Sequence, residues 1–169
     1  MPAHLVVLNR AALAALLLLT TCIPVPALAQ VGQGAPAQTG KNTNMATHRV
    51  AIHVDDNDPK VMNLALNNAK NVLEYYTAKN ETVAIEIVAY GPGLHMLRSD
   101  TSPVKQRVGE MSMAPQISFA ACGNTRANMA KQEAKDVPLL SEARVVPSGV
   151  VRLMELQKQG YAYIHPSGR

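Results

Sequence analysis

Val83-Ala84-Ile85-Glu86-Ile87-Val88-Ala89-Tyr90, stopped by Gly91-Pro92-Gly93, is the stretch that decides the fold. Glu86 apart, every position from 83 to 90 is apolar or aromatic, with none of the polar alternation of a strand that faces water on one side. A strand apolar on both faces belongs in the middle of a sheet covered by helices on either side, the usual setting of parallel sheets.

Toward the N-terminus, residues 49–54 form a short β-branched run that Asp55-Asp56-Asn57-Asp58-Pro59 ends with turn chemistry. Asp58 is a suitable N-cap, with Pro59 at the first helical position. Val61, Met62, Ala65, Leu66, Ala69, Val72, Leu73 and Tyr76 then recur at spacings of three and four, which predicts an amphipathic helix closed by Asn80. Toward the C-terminus, two short helical pieces are predicted at 94–98 and 104–111, followed by a strand at 116–122. Gly123 is read as a turn and Asn124 as the cap of a helix over 125–135. A brief strand at 144–146, a helix over 150–159 stopped by Gly160, and a last strand at 161–164 complete the pattern. Five strands joined by helical crossovers predict a three-layer α/β/α domain, Rossmann-like, with a mainly parallel five-stranded sheet over residues 48–165 and a short tail at 166–169.

Residues 1–29 carry Arg10, an apolar run over 11–19, and Ala27-Leu28-Ala29 before Gln30, the order of a cleaved secretory signal peptide. The run is shorter than the about 20 apolar residues that a membrane span requires. Leu19-Thr20-Thr21-Cys22 approximates a lipoprotein box, but Thr21 stands where a smaller residue is expected, so secretion with cleavage is the reading. Residues 30–47, rich in Gly, Gln, Asn, Thr, Ala and Pro, read as a flexible lead-in. The expected location is therefore the periplasm, with no membrane contact after cleavage. A net charge of +4 from scattered basic residues, with one Phe and no Trp, excludes a nucleic-acid surface. Of the two cysteines, only Cys122 survives signal removal, so neither an internal disulfide nor a Cys-x-x-Cys pair is available.

Ligands of open parallel sheets gather beyond the carboxyl ends of the strands. Those ends supply Asp55-Asp56-Asn57, Gly91-Pro92-Gly93, Cys122-Gly123-Asn124-Thr125 and Ser148-Gly149. Cys122 ends a strand just before a helix, where amides and dipole favour a thiolate. His95, past the Gly-Pro-Gly break, is placed to hydrogen-bond a thiolate or an anionic ligand. His53, inside the first strand, reads as a structural histidine with its ring satisfied. Capping explains Asp55, Asp56 and Asp58. No histidine has a second ligand at metal spacing, and His48 and His165 lie near the ends, so neither a metal nor another cofactor is expected. Gly91-Pro92-Gly93 lacks the third glycine of a dinucleotide loop, and no phosphate-binding Gly-Lys-Ser/Thr loop is present. Met111, Met113, Met129 and Met154 read as core or subunit interface.

With these residues in place, the domain resembles the DsrE/DsrF-like family. The resemblance lies in the first strand running into Asp55-Asp56-Asn57, in residues 86–94, in Ala121-Cys122-Gly123-Asn124-Thr125, and in Val146-Pro147-Ser148-Gly149-Val150 leading to Gln159-Gly160-Tyr161. It implies homotrimers or hexamers, and, as in sulfur-relay members, a cysteine at Cys122 that carries sulfur as a persulfide between a donor and an acceptor protein. The resulting expectation is an exported sulfur carrier of sulfurtransferase type. Cys122 is its reactive residue, and Asn57, Gly91, His95, Gly123, Asn124 and Thr125 line the site. The other reading is a non-catalytic oligomeric module whose rim binds a small anion or a partner protein.

Overall fold

Strands β1 (His48–Val54), β2 (Val83–Ala89), β3 (Ile117–Cys122), β4 (Ala143–Val146) and β5 (Ala162–Ile164) form one sheet in the order β4-β3-β2-β1-β5. Every pairing is parallel. The chain is described by a computed structural model over residues 46–168. The signal segment and nearly all of the lead-in expected from the sequence lie outside the described residues. Among the described residues, no helix is long and apolar enough to cross a membrane.

The helices are α1 (Pro59–Ala78), α2 (Lys105–Ser112), α3 (Gly123–Glu133) and α4 (Gly149–Lys158), with a 3₁₀ helix at Gly91–Leu97 between β2 and α2. Asp58 caps α1 by accepting the Lys60 amide, with Pro59 at the start, and Asn80 takes the left-handed conformation that ends it. Two expectations change. The Gly-Pro-Gly segment is not a mere break, because the 3₁₀ helix begins at Gly91. Gly93 sits so close to the end of β1 that an added Cβ would lie 2.3 Å from the Val54 carbonyl oxygen. Asn124 is not a cap either: α3 starts at Gly123, and Cys122 is itself the N-cap residue.

Strand alternation divides the core into two unequal halves. Val50, Ile52, Val54, Ile85, Ile87, Ile117 and Phe119 face α1, the 3₁₀ helix and α2 with Met62, Leu66 and Leu94, the larger core. The opposite face presents Ala51, Ala84, Val88 and Ala120 to Leu153 and Leu156 of α4. Small side chains there let one helix approach the sheet closely enough to exclude water. Arg98, 1% exposed, forks onto Asp100 and Glu133 and so ties the end of the 3₁₀ helix to the end of α3. Its guanidinium holds both carboxyls down at about 2.

Glu86, the polar exception in β2, lies between Ala84 and Val88 on the α4 face. Its two carboxylate oxygens each accept a hydrogen bond from Arg152 of α4 at 2.7 Å, and Arg144 of β4 adds a third at 3.1 Å. A planar fork onto a buried carboxylate fixes both the height and the rotation of α4 on the sheet. Because removing one partner strands the other away from full hydration, Glu86→Ala is expected to lower unfolding stability by about 3 kcal/mol. Replacing both Glu86 and Arg152 with apolar residues should lose much less. Urea denaturation of the two variants measures the difference.

Candidate functional site

Parallel pairing brings the four expected rim loops together at the carboxyl edge of the sheet. Cys122 lies on the α4 face, since it alternates with Ala120 and pairs with Val146. Two helix starts meet at its sulfur. The Thr125 amide of α3 donates to Sγ at 3.4 Å, and the backbone at Gly149 of α4 and at Asn124, whose amide donates to the Pro147 carbonyl at 3.2 Å, also favours the thiolate. The Thr125 hydroxyl accepts the Gly91 amide at 3.0 Å, which leaves its hydrogen for the sulfur. Burial pushes the Cys122 thiol up, but these donors outweigh it and the net displacement is downward. The thiol is 4% exposed, so it is shielded as well as activated.

The expected binding residues divide into two groups. Gly123 opens α3 directly after Cys122, and Asn124 lies beside the sulfur in the first turn. Asn57, Gly91, His95 and Thr125 line an adjoining open groove of about 410 Å³, together with Asn128 and Gln132 of α3. Thr125 belongs to both, with its hydroxyl between Gly91 and the sulfur. His95 Nδ1 is 2.8 Å from the Thr101 hydroxyl, so its ring serves the groove rather than the thiolate. Among the methionines expected in the core or a subunit interface, Met111 and Met129 pack against the larger core, whereas Met113 and Met154 are exposed.

The structure adds an aromatic and histidine cluster that the sequence pattern does not reveal. Tyr90 and His165 stack on opposite sides of His53, each with its ring centroid 4.4 Å from that of His53. Tyr163 places its hydroxyl 2.7 Å from His53 Nδ1. His53 is therefore not the satisfied strand histidine expected, because its Nε2 is buried without a hydrogen-bond partner. Burial is the largest influence on its pKa and holds it below the ordinary value. Asp55 is not occupied with capping; it accepts from His165 Nε2 at 2.9 Å. Period-two alternation puts His53 on the α4 face, but nothing in the local sequence places β5 beside β1. Tyr90 lies between the two neighbourhoods. Its hydroxyl is held above its usual pKa first by burial, then by the charges of Asp55, Tyr163 and Cys122.

The DsrE/DsrF-like family model matches residues 31–166. A solved structure of a protein of unknown function, MTH1491 from Methanobacterium thermoautotrophicum, is similar at 35% sequence identity and a TM-score of 0.59. The match covers 70% of this chain and 99% of that one. A search of curated proteins finds no match.

Gly149 links sulfur and cluster, since a Cβ added there would lie 2.9 Å from the Tyr90 side chain. Gly149→Ala must displace either the Tyr90 ring or the start of α4, and the α4 amide at the sulfur moves with it. The expected result is a loss of about 1–3 kcal/mol in stability and a Cys122 thiol pKa shifted upward, read from urea denaturation and from the pH dependence of alkylation.

Proposed function

We propose that this chain, which belongs to the DsrE/DsrF-like family, is a sulfur carrier in which Cys122 holds sulfur as a persulfide. The observation that carries this reading is the meeting of two helix N-termini and the Thr125 hydroxyl at one thiol whose pKa is lowered despite burial. Anion stabilisation of this kind suits a thiolate nucleophile and the persulfide anion it becomes.

In the transfer step, the Cys122 thiolate attacks the outer sulfur of a donor persulfide, R–S–SH. A new sulfur–sulfur bond forms at Cys122 as the bond within the donor breaks, and the donor departs as the thiolate R–S⁻. The proton stays on the transferred sulfur, and no external oxidant or reductant is consumed. An acceptor thiolate runs the same exchange in reverse. Asn124 and Thr125 orient the cradle, and Gly123 allows the close approach of α3 to the end of β4, where an added Cβ would lie 3.2 Å from the Val146 carbonyl oxygen.

The signal-like order of residues 1–29 supports a periplasmic setting for this exchange. Val150, Val151 and Met154 leave α4 with exposed apolar surface, which supports assembly into a homotrimer or hexamer. A second reading rests on the groove itself. Asn57, His95 and Thr125 offer hydrogen bonds to a small anion or a partner segment in a space whose lining does not include Cys122. That module would keep its ligand affinity in Cys122→Ser, whereas the carrier loses its function.

Intact mass spectrometry after polysulfide treatment tests the carrier directly. One or more added sulfur masses are expected on the wild-type chain, and none on Cys122→Ser. An unmodified Cys122 that still alkylates would overturn it. Alkylation should show a pH midpoint below the about 8.5 of a free thiol. Small reagents such as methyl methanethiosulfonate should react faster than bulky aromatic disulfides, because the sulfur is shielded.

A further inference from the structure

Two imidazoles and a carboxylate from opposite ends of the domain converge where β1 ends. His53 Nε2 lies 3.6 Å from Asp55 Oδ2, and His165 Nε2 lies 2.9 Å from Asp55 Oδ1. The ligand atoms of the three residues all fall within 4.8 Å of one another. His53 is 4% exposed, and its Nε2 is the one buried side-chain nitrogen or oxygen without a hydrogen-bond partner among the described residues.

The surroundings fix how that nitrogen is presented. Stacking between Tyr90 and His165 holds the His53 ring plane, and the Tyr163 hydroxyl engages Nδ1. In the tautomer whose Nδ1–H donates to the Tyr163 oxygen, the Nε2 lone pair faces the Asp55 carboxylate at 3.6 Å, too long for a hydrogen bond. A lone pair on a buried ring and a half-exposed carboxylate facing each other call for a cation between them. An outer hydrogen bond that sets the tautomer while the other nitrogen stays free is also the usual support of a metal-ligating histidine.

We propose that His53, Asp55 and His165 bind one divalent transition-metal ion of the zinc class, through the two Nε2 atoms and one carboxylate oxygen. Imidazole with carboxylate suits zinc, nickel or copper, whereas calcium and magnesium prefer all-oxygen sites. Donors about 2.0–2.1 Å from a tetrahedral zinc ion stand roughly 3.3 Å apart. The ligand atoms now lie within 4.8 Å of one another, and His165, on the exposed segment after β5, supplies the movement that closes that spacing. Its Nε2 proton, now donated to Asp55, passes to Nδ1 or to solvent as the metal takes its place. Three protein ligands leave a coordination position for water or a small anionic ligand. This site shares no ligand with the sulfur chemistry of Cys122 and stands or falls separately from it.

Titration of the full chain, free of any affinity tag, with cobalt(II) reads the site through its visible ligand-field bands, and zinc(II) is then added in competition. One saturable ion per chain is expected, displaced by zinc and retained in Cys122→Ser. His165→Ala and Asp55→Asn should each weaken binding about tenfold or more. Unchanged circular dichroism and metal-free unfolding curves show that these variants fold. The proposal is overturned if binding does not saturate at one ion per chain, if both ligand variants bind as the wild type does, or if Cys122→Ser abolishes binding.

Discussion

Parallel pairing of β1 with both β2 and β5 is the constraint on which the rest of the molecule depends. When every strand runs the same way, every strand end and every following helix start lies at one edge of the sheet. Cys122 owes its two sets of amide donors to that alignment, because α3 follows β3 and α4 follows β4, its immediate neighbour. The same alignment sets the end of β5 beside the end of β1, and so brings His165 to Asp55 across 110 residues of chain.

At the sulfur, two effects of burial compete. Exclusion of water disfavours the thiolate, and it also strengthens each hydrogen bond that the thiolate accepts. Polar contacts at the sulfur outweigh burial, so the thiol is shielded from solvent while its pKa is displaced downward.

The unequal faces of the sheet explain how a single helix can hold this geometry. On the α1 side, large side chains make an ordinary apolar core. On the α4 side, alanines allow close approach but specify little about where along the sheet the helix rests. The Glu86 fork to Arg152 provides that position. An ion pair of this kind contributes modestly to net stability, since desolvation offsets most of its attraction, but it disfavours any register in which the two charges miss each other. Gly149 reaches the sulfur because α4 is held there.

Local patterns in the chain determined most of the architecture. The apolar run of β2, the three-and-four spacing of α1, the Asp58-Pro59 start and the left-handed Gly160 each depend on residues a few positions apart, and short-range sterics and periodicity suffice to read them. The placement of Cys122 between strand and helix was legible for the same reason. Its role as its own N-cap was not, because a thiol is an uncommon capping group and Asn124 offered the more usual chemistry. Strand order, the donation from Gly149 and the separation of His95 from the thiolate were decided by tertiary structure. So was the conversion of His53 from a strand histidine into the centre of a cluster with Asp55, Tyr90, Tyr163 and His165. Sequence spacing carries information about neighbours along a chain. Which strand lies beside β1 follows instead from the long crossover of α4, whose hand and docking are settled by packing over the whole sheet.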